Sequence, residues 1–241
     1  MNLLKQLLLN GRDAIGSFVY PDRCVLCQNI TESEDYNAPR KSLCPVCLKK
    51  LEHTNQFDLR GNSTEDVFYQ DNRFEKGASF LFYDKENNIN QLVYAFKYRN
   101  LPDVATYLAT EAAIEGLQSD FFDDIDVIIP IPLHPIRYRK RGYNQSEYIA
   151  HALSQVTKIP TDTTHVSRIR NNRQQALTKG KERETNVEGI FQVNHPEEMY
   201  RKHILIVDDV ITTGSTIRSC MEAMKEFRGA RFSVFALAKA I

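Results

Sequence analysis

His203-Ile204-Leu205-Ile206-Val207-Asp208-Asp209-Val210-Ile211-Thr212-Thr213-Gly214-Ser215-Thr216 changes character twice in a short space. The first five residues are almost wholly apolar, which suits a strand buried on both faces of a parallel sheet. Two carboxylates follow where that strand emerges. The run Thr212–Thr216 is then small, hydroxyl-bearing or backbone-flexible. Beyond it Ile217, Cys220, Met221, Met224 and Phe227 recur at helical spacing, the apolar stripe of an amphipathic helix.

Strand, acidic pair, small-residue turn and helix have a chemical consequence in that order. Backbone N–H groups of the turn and the first helical residues carry the positive end of the helix dipole. They form a cradle for a phosphate, to which the hydroxyls of Thr212, Thr213, Ser215 and Thr216 can also donate. Gly214 permits a backbone conformation closed to other residues, and a bulky residue there is expected to obstruct the phosphate. Asp208 and Asp209 are acceptors beside an anion site, suited to hydroxyls, a cation, or both. A ribose 5-phosphate meets all of these demands, and it would bind at the carboxyl end of the strand, as ligands of open α/β sheets do.

The run Val207–Thr216 resembles the phosphoribosyl-pyrophosphate (PRPP) loop of type I phosphoribosyltransferases. It is not a Walker A loop, since the Gly-Lys-Thr ending is missing, nor a G-x-G-x-x-G turn. The bland alternative is a strand–turn–helix with two solvated aspartates.

Cys24-Val25-Leu26-Cys27 and Cys44-Pro45-Val46-Cys47 are two C-x-x-C knuckles at zinc-ribbon spacing. Four thiolates close a tetrahedral site, so Cys24, Cys27, Cys44 and Cys47 are expected to hold a structural zinc. The residues between are too polar for a core of their own, and metal binding can supply their folding free energy. Two redox pairs or disulfides, or an iron–sulfur cluster, are the competing readings. Cys220, on the apolar face of the last helix, reads as core.

The chain has 241 residues, 42% of them hydrophobic, and 31 basic residues balance 31 acidic ones. There is no bulk field drawing it to nucleic acid, and no apolar run of membrane-spanning length. Met1–Val19 lacks a small-residue cleavage site, and Lys5 and Gln6 interrupt its leucines, which argues against a signal peptide. Leu3, Leu4, Leu7 and Leu8 give instead one helical face, to pack on the protein or to lie on a membrane surface. The expected location is cytoplasmic.

Between His53 and Lys76 the sequence is polar and reads as a joint, with an edge strand at Val67–Tyr69. Beyond it strands are expected at Ala78–Tyr83, Asp126–Ile131 and Phe232–Leu237. Helices are expected at Asn88–Lys97, from Leu101 to about Leu117, and at Gln145–Val156. The alternation argues for a doubly wound α/β parallel sheet. The expected divisions are 1–60 for the N-terminal helix and zinc module, 61–77 for a connecting segment and 78–241 for the α/β domain.

Two loops concentrate positive charge. Leu133–Gln145 carries Arg137, Arg139, Lys140 and Arg141 with no acidic residue. Val166–Arg183 carries Arg168, Arg170, Arg173, Lys179, Lys181 and Arg183 against Glu182 alone. These cations can neutralise a diphosphate opposite the 5′-phosphate. A solvated basic surface is a second reading. A third is a single-strand nucleic-acid track through Arg168, Arg170 and Arg173, with Tyr138 and Tyr143 stacking on bases.

Ile129-Pro130-Ile131-Pro132-Leu133-His134-Pro135 with Arg141-Gly142-Tyr143-Asn144-Gln145 is similar to the ComF family. So are Arg170, Gln175, Arg183, Asn186 and Val187 in their spacing up to Phe191, and the four-cysteine module after Tyr20-Pro21. The likeness runs from about Phe18 to Ala238. It implies the phosphoribosyltransferase half of an amidophosphoribosyltransferase without the glutaminase domain, and an association with DNA uptake in competent bacteria.

Two functions follow. In the enzyme reading, Mg²⁺ on the diphosphate with Arg137, Arg139 or Arg141 neutralises the leaving charge. Asp208 and Asp209 hold the ribose hydroxyls, Thr212–Thr216 hold the 5′-phosphate, and Arg168–Arg183 closes as a lid. Asp208, Asp209 and Arg141 are then the catalytic candidates. In the other, a non-enzymatic module senses PRPP and engages single-stranded DNA or a competence protein. A scaffold without a ligand is the third possibility.

Overall fold

The structure, a computed structural model, describes residues 23–31, 42–84, 88–170 and 189–241. The N-terminal leucine face, Tyr20-Pro21, Arg173 and the rest of 171–188 lie outside the described residues.

Four strands, β1 (Phe74–Tyr83), β2 (Val127–Pro130), β5 (His203–Ile211) and β6 (Arg231–Ala240), form one parallel sheet in the order β1-β6-β5-β2. Two short strands, β3 (Val166–Arg168) and β4 (Phe191–Val193), pair antiparallel on either side of residues 171–188. Because strand side chains alternate between faces, β5 serves two cores. Leu205 and Val207 join the cluster under α2 (Asn88–Tyr98), α3 (Pro102–Gly116) and α5 (Gln145–Thr157). Ile204 and Ile206 join the other cluster, with Ile217, Cys220 and Met221 of α6 (Ser215–Ala223) and Val166 and Phe191 of the small hairpin. Helices on both faces of a parallel sheet are the expected doubly wound arrangement. Each fully buried Leu or Phe contributes about 1.5–3 kcal/mol by leaving water.

Strand β6 runs from Arg231 to Ala240, well beyond the apolar core of Phe232–Leu237, and β1 begins at Phe74 rather than Ala78. The ladder between them continues where side chains turn polar, since main-chain pairing does not need apolar neighbours.

The polar joint is a correction. Gln56, Asn62 and Thr64 are buried, and their side chains bond one another and the sheet. The Gln56 side-chain oxygen accepts from Thr64 Oγ1 (2.6 Å) and from Ser79 N (3.0 Å). Asn62 Nδ2 donates to Leu59 O (2.7 Å) and Gly77 O (2.8 Å). Val67–Tyr69 is not an edge strand: Glu65–Val67 is a 3₁₀ turn, because Asn62 Oδ1 caps it through Thr64 N and Glu65 N. These polar residues satisfy backbone groups inside the fold, so composition misread them as solvated. Phe57 and Phe68 are buried one in each core. Cys24, Leu43, Cys47 and Leu51 share their cluster with Phe80, Leu92 and Leu108, so the buried surface runs across residues 60 and 78 without a break.

Leu133–Gln145 is not all loop. It contains α4 (Pro135–Arg141), whose start is capped by His134 Nδ1 accepting from Ile136 N (3.2 Å), with Pro135 in its first turn. Gly142, at φ +87°, closes it in the left-handed conformation.

Candidate functional site

Strand β2 stops pairing at Pro130 opposite Val207, one residue before Asp208. The chain then turns away through Pro132 into α4, opening a cavity of about 370 Å³ at the carboxyl ends of β2 and β5. Asp208, Asp209, Thr212 and Thr216 line it. Lys97, Arg137, Arg141 and Arg168 line it too, from α2, α4 and β3. Asn144, Gln145 and Ser146 close the end beside α5.

The two carboxylates are not alike. Asp209 Oδ1 pairs with Lys97 Nζ at 2.8 Å. Burial alone would lower the Lys97 ammonium, but the charge and hydrogen bond of Asp209 prevail and hold it above its ordinary value. Asp208 Oδ1 accepts from Ser146 Oγ (3.1 Å) and Asp209 N (2.9 Å). Burial first, and then the adjacent Asp209 charge, push its carboxyl up to about 7.

The small-residue turn is built from outside as well as within. Gly214 sits at φ +71° and caps α6, while Thr213 Oγ1 accepts from Ser215 N at 3.4 Å. Arg218 clamps the turn, donating from Nη2 to Thr213 O (2.6 Å) and from Nη1 to Val67 O (2.9 Å). A Cβ on Gly214 would lie 2.2 Å from Val67 Cγ1 and 3.1 Å from the Phe68 ring. The glycine is therefore needed for the packing of the 3₁₀ turn against the loop, a role the sequence did not show.

Of the expected substrate residues, Thr212 and Thr216 line the cavity, whereas Thr213 and Ser215 are exposed on the turn and Gly214 is buried behind it. Arg137 and Arg141, one helical turn apart, face the cavity; Arg139 lies on the exposed side of α4. Arg168 is buried against the Phe191 ring (5.3 Å to the centroid) and lines the cavity. Arg170 is exposed beside Gly189. Arg173 lies outside the described residues.

Sequence reasoning passed over three residues of the site. Lys97 and Ser146 stand in the sequence reading only as members of expected helices. Gln145 is buried on the cavity wall, and its Nε2 donor has no hydrogen-bond partner among the described residues. An orphaned buried donor costs about 1–3 kcal/mol unless something accepts from it.

The second constellation is the cysteine cluster. One candidate ligand atom from each of Cys24, Cys27, Cys44 and Cys47 lies within 4.8 Å of the others. Cys27 Sγ and Cys44 Sγ stand 3.8 Å apart, too far for a disulfide, and all four are free thiols. Gln28 N donates to Cys24 O (2.9 Å) to close the first knuckle. The second opens the short helix α1 (Pro45–Lys49), with Cys44 as its cap. Four converging sulfurs suit a closed tetrahedral metal. No described helix is long and apolar enough to cross a membrane.

Residues 107–240, over half the chain, match the family described as phosphoribosyl transferase domain. The chain is 26% identical to Competence protein F of Haemophilus influenzae over 233 residues, 90% of this chain and 97% of that protein. It is 26% identical to DNA utilization protein YhgH of Escherichia coli (strain K12) over 156 residues, 64% of this chain and 68% of that protein. Among solved structures it is similar to the glutamine phosphoribosylpyrophosphate amidotransferase of B. subtilis. That likeness has a TM-score of 0.39 and 18% identity, over 58% of this chain and 30% of that one. The chain belongs to the phosphoribosyl transferase domain family and is of the ComF type, with a four-cysteine cluster ahead of that domain.

Proposed function

We propose that the cavity binds PRPP and that the chain transfers its 5-phosphoribosyl group. The observation that carries this reading is that one cavity is lined together by the carboxylates Asp208 and Asp209, by Thr212 and Thr216 of the small-residue turn, and by the cations Lys97, Arg137, Arg141 and Arg168. A ribose hydroxyl face, a 5′-phosphate and a diphosphate need those three surfaces together. The unsatisfied Gln145 amide adds a donor for a ligand oxygen.

In this reading Asp208 and Asp209 accept from the ribose hydroxyls, and Lys97 fixes the orientation of Asp209. The turn from Thr212 to Thr216 and the first N–H groups of α6 hold the 5′-phosphate. Arg137, Arg141 and Arg168 take up the charge that grows on the diphosphate as the bond from C1 breaks, which lowers the barrier because they are already in place. The hard carboxylate oxygens at the cavity edge fit Mg²⁺ carried on the diphosphate, where it would supply further charge neutralisation. The four cysteines hold zinc as a closed structural site, which requires reduced thiols and favours a cytoplasmic location. The names of the relatives support a role for this chain in DNA uptake or utilisation.

Titration calorimetry with PRPP, ribose 5-phosphate and Mg²⁺ tests the proposal. PRPP should bind more tightly than ribose 5-phosphate, and Mg²⁺ should strengthen PRPP much more than ribose 5-phosphate. Asp209→Asn should weaken the sugar phosphates by about 1.5–3 kcal/mol and leave inorganic phosphate unharmed. Equal PRPP affinity in wild type and Asp209→Asn would place the ligand elsewhere.

A further inference from the structure

A second space, an open groove of about 870 Å³, borders α6 just past the turn that leads into it. Val67, Phe68 and the loop that follows them line it together with Arg218, Ser219 and Glu222 of α6. No residue lines both this groove and the cavity beside Asp208. Its other charges are paired. Arg73 donates to both oxygens of Asp71 (2.9 and 2.6 Å), and Lys225 pairs with Glu222 at 2.8 Å. Arg218 has no carboxylate partner among the described residues. Its guanidinium donates instead to two main-chain carbonyls, those of Val67 and Thr213. A planar fork can hold two acceptors at a fixed separation, which an ammonium cannot.

The turn has little of its own to hold it. Thr213 Oγ1 accepts from Ser215 N at 3.4 Å and donates to Ser215 Oγ at 3.2 Å, both long and both exposed. The Arg218 bonds, at 2.6 and 2.9 Å, come from a charged donor, which makes them roughly twice as strong as neutral ones. Thr213 stands in the chain between Thr212 and Thr216, the two turn residues that line the cavity. The carbonyl that Arg218 holds therefore governs where both are placed. At the other end of the fork, Val67 O belongs to the 3₁₀ turn capped by Asn62, whose amide donates to Gly77 O of β1. Val67 also packs its side chain against Gly214. The turn is thus tied to the sheet through Arg218, Val67 and Asn62 more firmly than it is tied to itself.

We infer that Arg218 is a positioning residue for the 5′-phosphate of the proposed ligand. It does not line the cavity, and it acts by fixing the Thr213 carbonyl and, with it, the spacing of Thr212 and Thr216. This rests on the PRPP reading of that cavity. The role is separable from charge, because a lysine at this position keeps the charge but reaches one carbonyl at a time. It is separable from the diphosphate end as well, because Arg137, Arg141 and Arg168 come from other elements.

The test is titration calorimetry on the full chain with ribose 5-phosphate and, separately, with inorganic diphosphate and Mg²⁺. Thermal unfolding verifies that each variant is folded at the titration temperature. Arg218→Ala should weaken ribose 5-phosphate about tenfold or more, the loss of a charge-assisted contact. It should leave diphosphate within about twofold of wild type, as for an independent site. Arg218→Lys should lose most of the same affinity although its charge is kept, and it decides the matter alone if Arg218→Ala does not fold. Methylguanidine, small enough for the open groove, should restore ribose 5-phosphate binding to Arg218→Ala, and sodium chloride at the same ionic strength should not. Full affinity for ribose 5-phosphate in Arg218→Lys overturns the inference, since charge alone would then suffice. Equal losses of both ligands overturn it too, by marking a general loss of structure. If the wild-type chain does not bind ribose 5-phosphate, the cavity reading has failed and the inference falls with it. If wild type binds it and Arg218→Ala binds it equally well, only the role of Arg218 has failed.

Discussion

Gly214→Ala offers a direct measure of how the turn ahead of α6 is held. At φ +71° any side chain pays the left-handed penalty of about 1–2 kcal/mol. The new Cβ would also stand 2.2 Å from Val67 Cγ1, where carbon atoms need about 3.5–4.0 Å. Phe68 behind it is buried in the core, and the Val67 carbonyl is tied to Arg218, so relief requires moving a packed segment. Overpacking of this kind costs about 1–3 kcal/mol. The two effects sum to about 2–5 kcal/mol, which lowers the melting temperature of a chain this size by roughly 4–20 °C. Thermal unfolding of the single variant and of Val67→Ala/Gly214→Ala separates them. The double variant removes the clashing methyls and should keep only the left-handed cost, once the Val67→Ala change alone is subtracted. Melting of the single variant within about 2 °C of wild type, or no recovery in the double variant, would refute the reasoning. Affinity for ribose 5-phosphate should fall in the single variant through displacement of the turn, because Gly214 does not line the cavity.

Three further outcomes are expected. Asp208 keeps its proton to about pH 7 in the folded chain, whereas an unfolded aspartate titrates near pH 3.9; between these values the folded state binds more protons and loses stability as pH rises. Asp208→Asn should therefore gain on wild type in denaturant midpoint from pH 4 to pH 7 and then level off, and a constant difference across that series would contradict the assignment. Arg168→Ala should weaken PRPP by about 1.5–3 kcal/mol, as loss of a charged donor does, with the effect greater on PRPP than on ribose 5-phosphate; equal losses would take Arg168 away from the diphosphate. Elemental analysis should find one zinc per chain, and Cys47→Ser should lower amide protection in α2 and α3 as well as around the knuckles, because Cys47 shares their buried cluster. Protection lost only between residues 23 and 51 would show that the cluster is not coupled.

What sequence could show was what is local. The apolar run of β5, the acidic pair and the turn are contiguous, so their periodicity and order were readable, and the C-x-x-C pairs announce themselves by spacing. The cations of the cavity were half readable: Arg137 and Arg141 both line it because they are one turn apart on α4, but a reading of that segment as loop could not separate them from Arg139. Lys97 and Ser146 reach the aspartates across 112 and 62 residues of chain. Only the strand order brings them there, and no pattern within α2 or α5 reveals it. Arg168 belongs to a basic stretch that the sequence leaves open between ligand, nucleic acid and solvent, whereas the small hairpin buries it against Phe191. Gln56, Asn62 and Thr64 misled for the opposite reason, being polar residues spent on an interior network.

The short bridges at the margins of the sheet bear on association between molecules. Strand β1 would expose a row of unpaired amides and carbonyls on its outer side, but Thr54 N bonds Phe80 O, Phe82 N bonds Glu52 O, and His53 bridges Leu81. On the far side, β2 is covered by residues 160–162, through Ile128 N to Pro160 O and Asp162 N to Ile128 O. Each guard is only a few residues long, but it occupies edge groups that another chain would need for strand addition. The guard on β1 follows directly from Leu51, which is buried with Cys24 and Cys47. If the four cysteines hold zinc, a chain stripped of it should aggregate sheet to sheet starting at β1, before the cavity beside Asp208 has come apart.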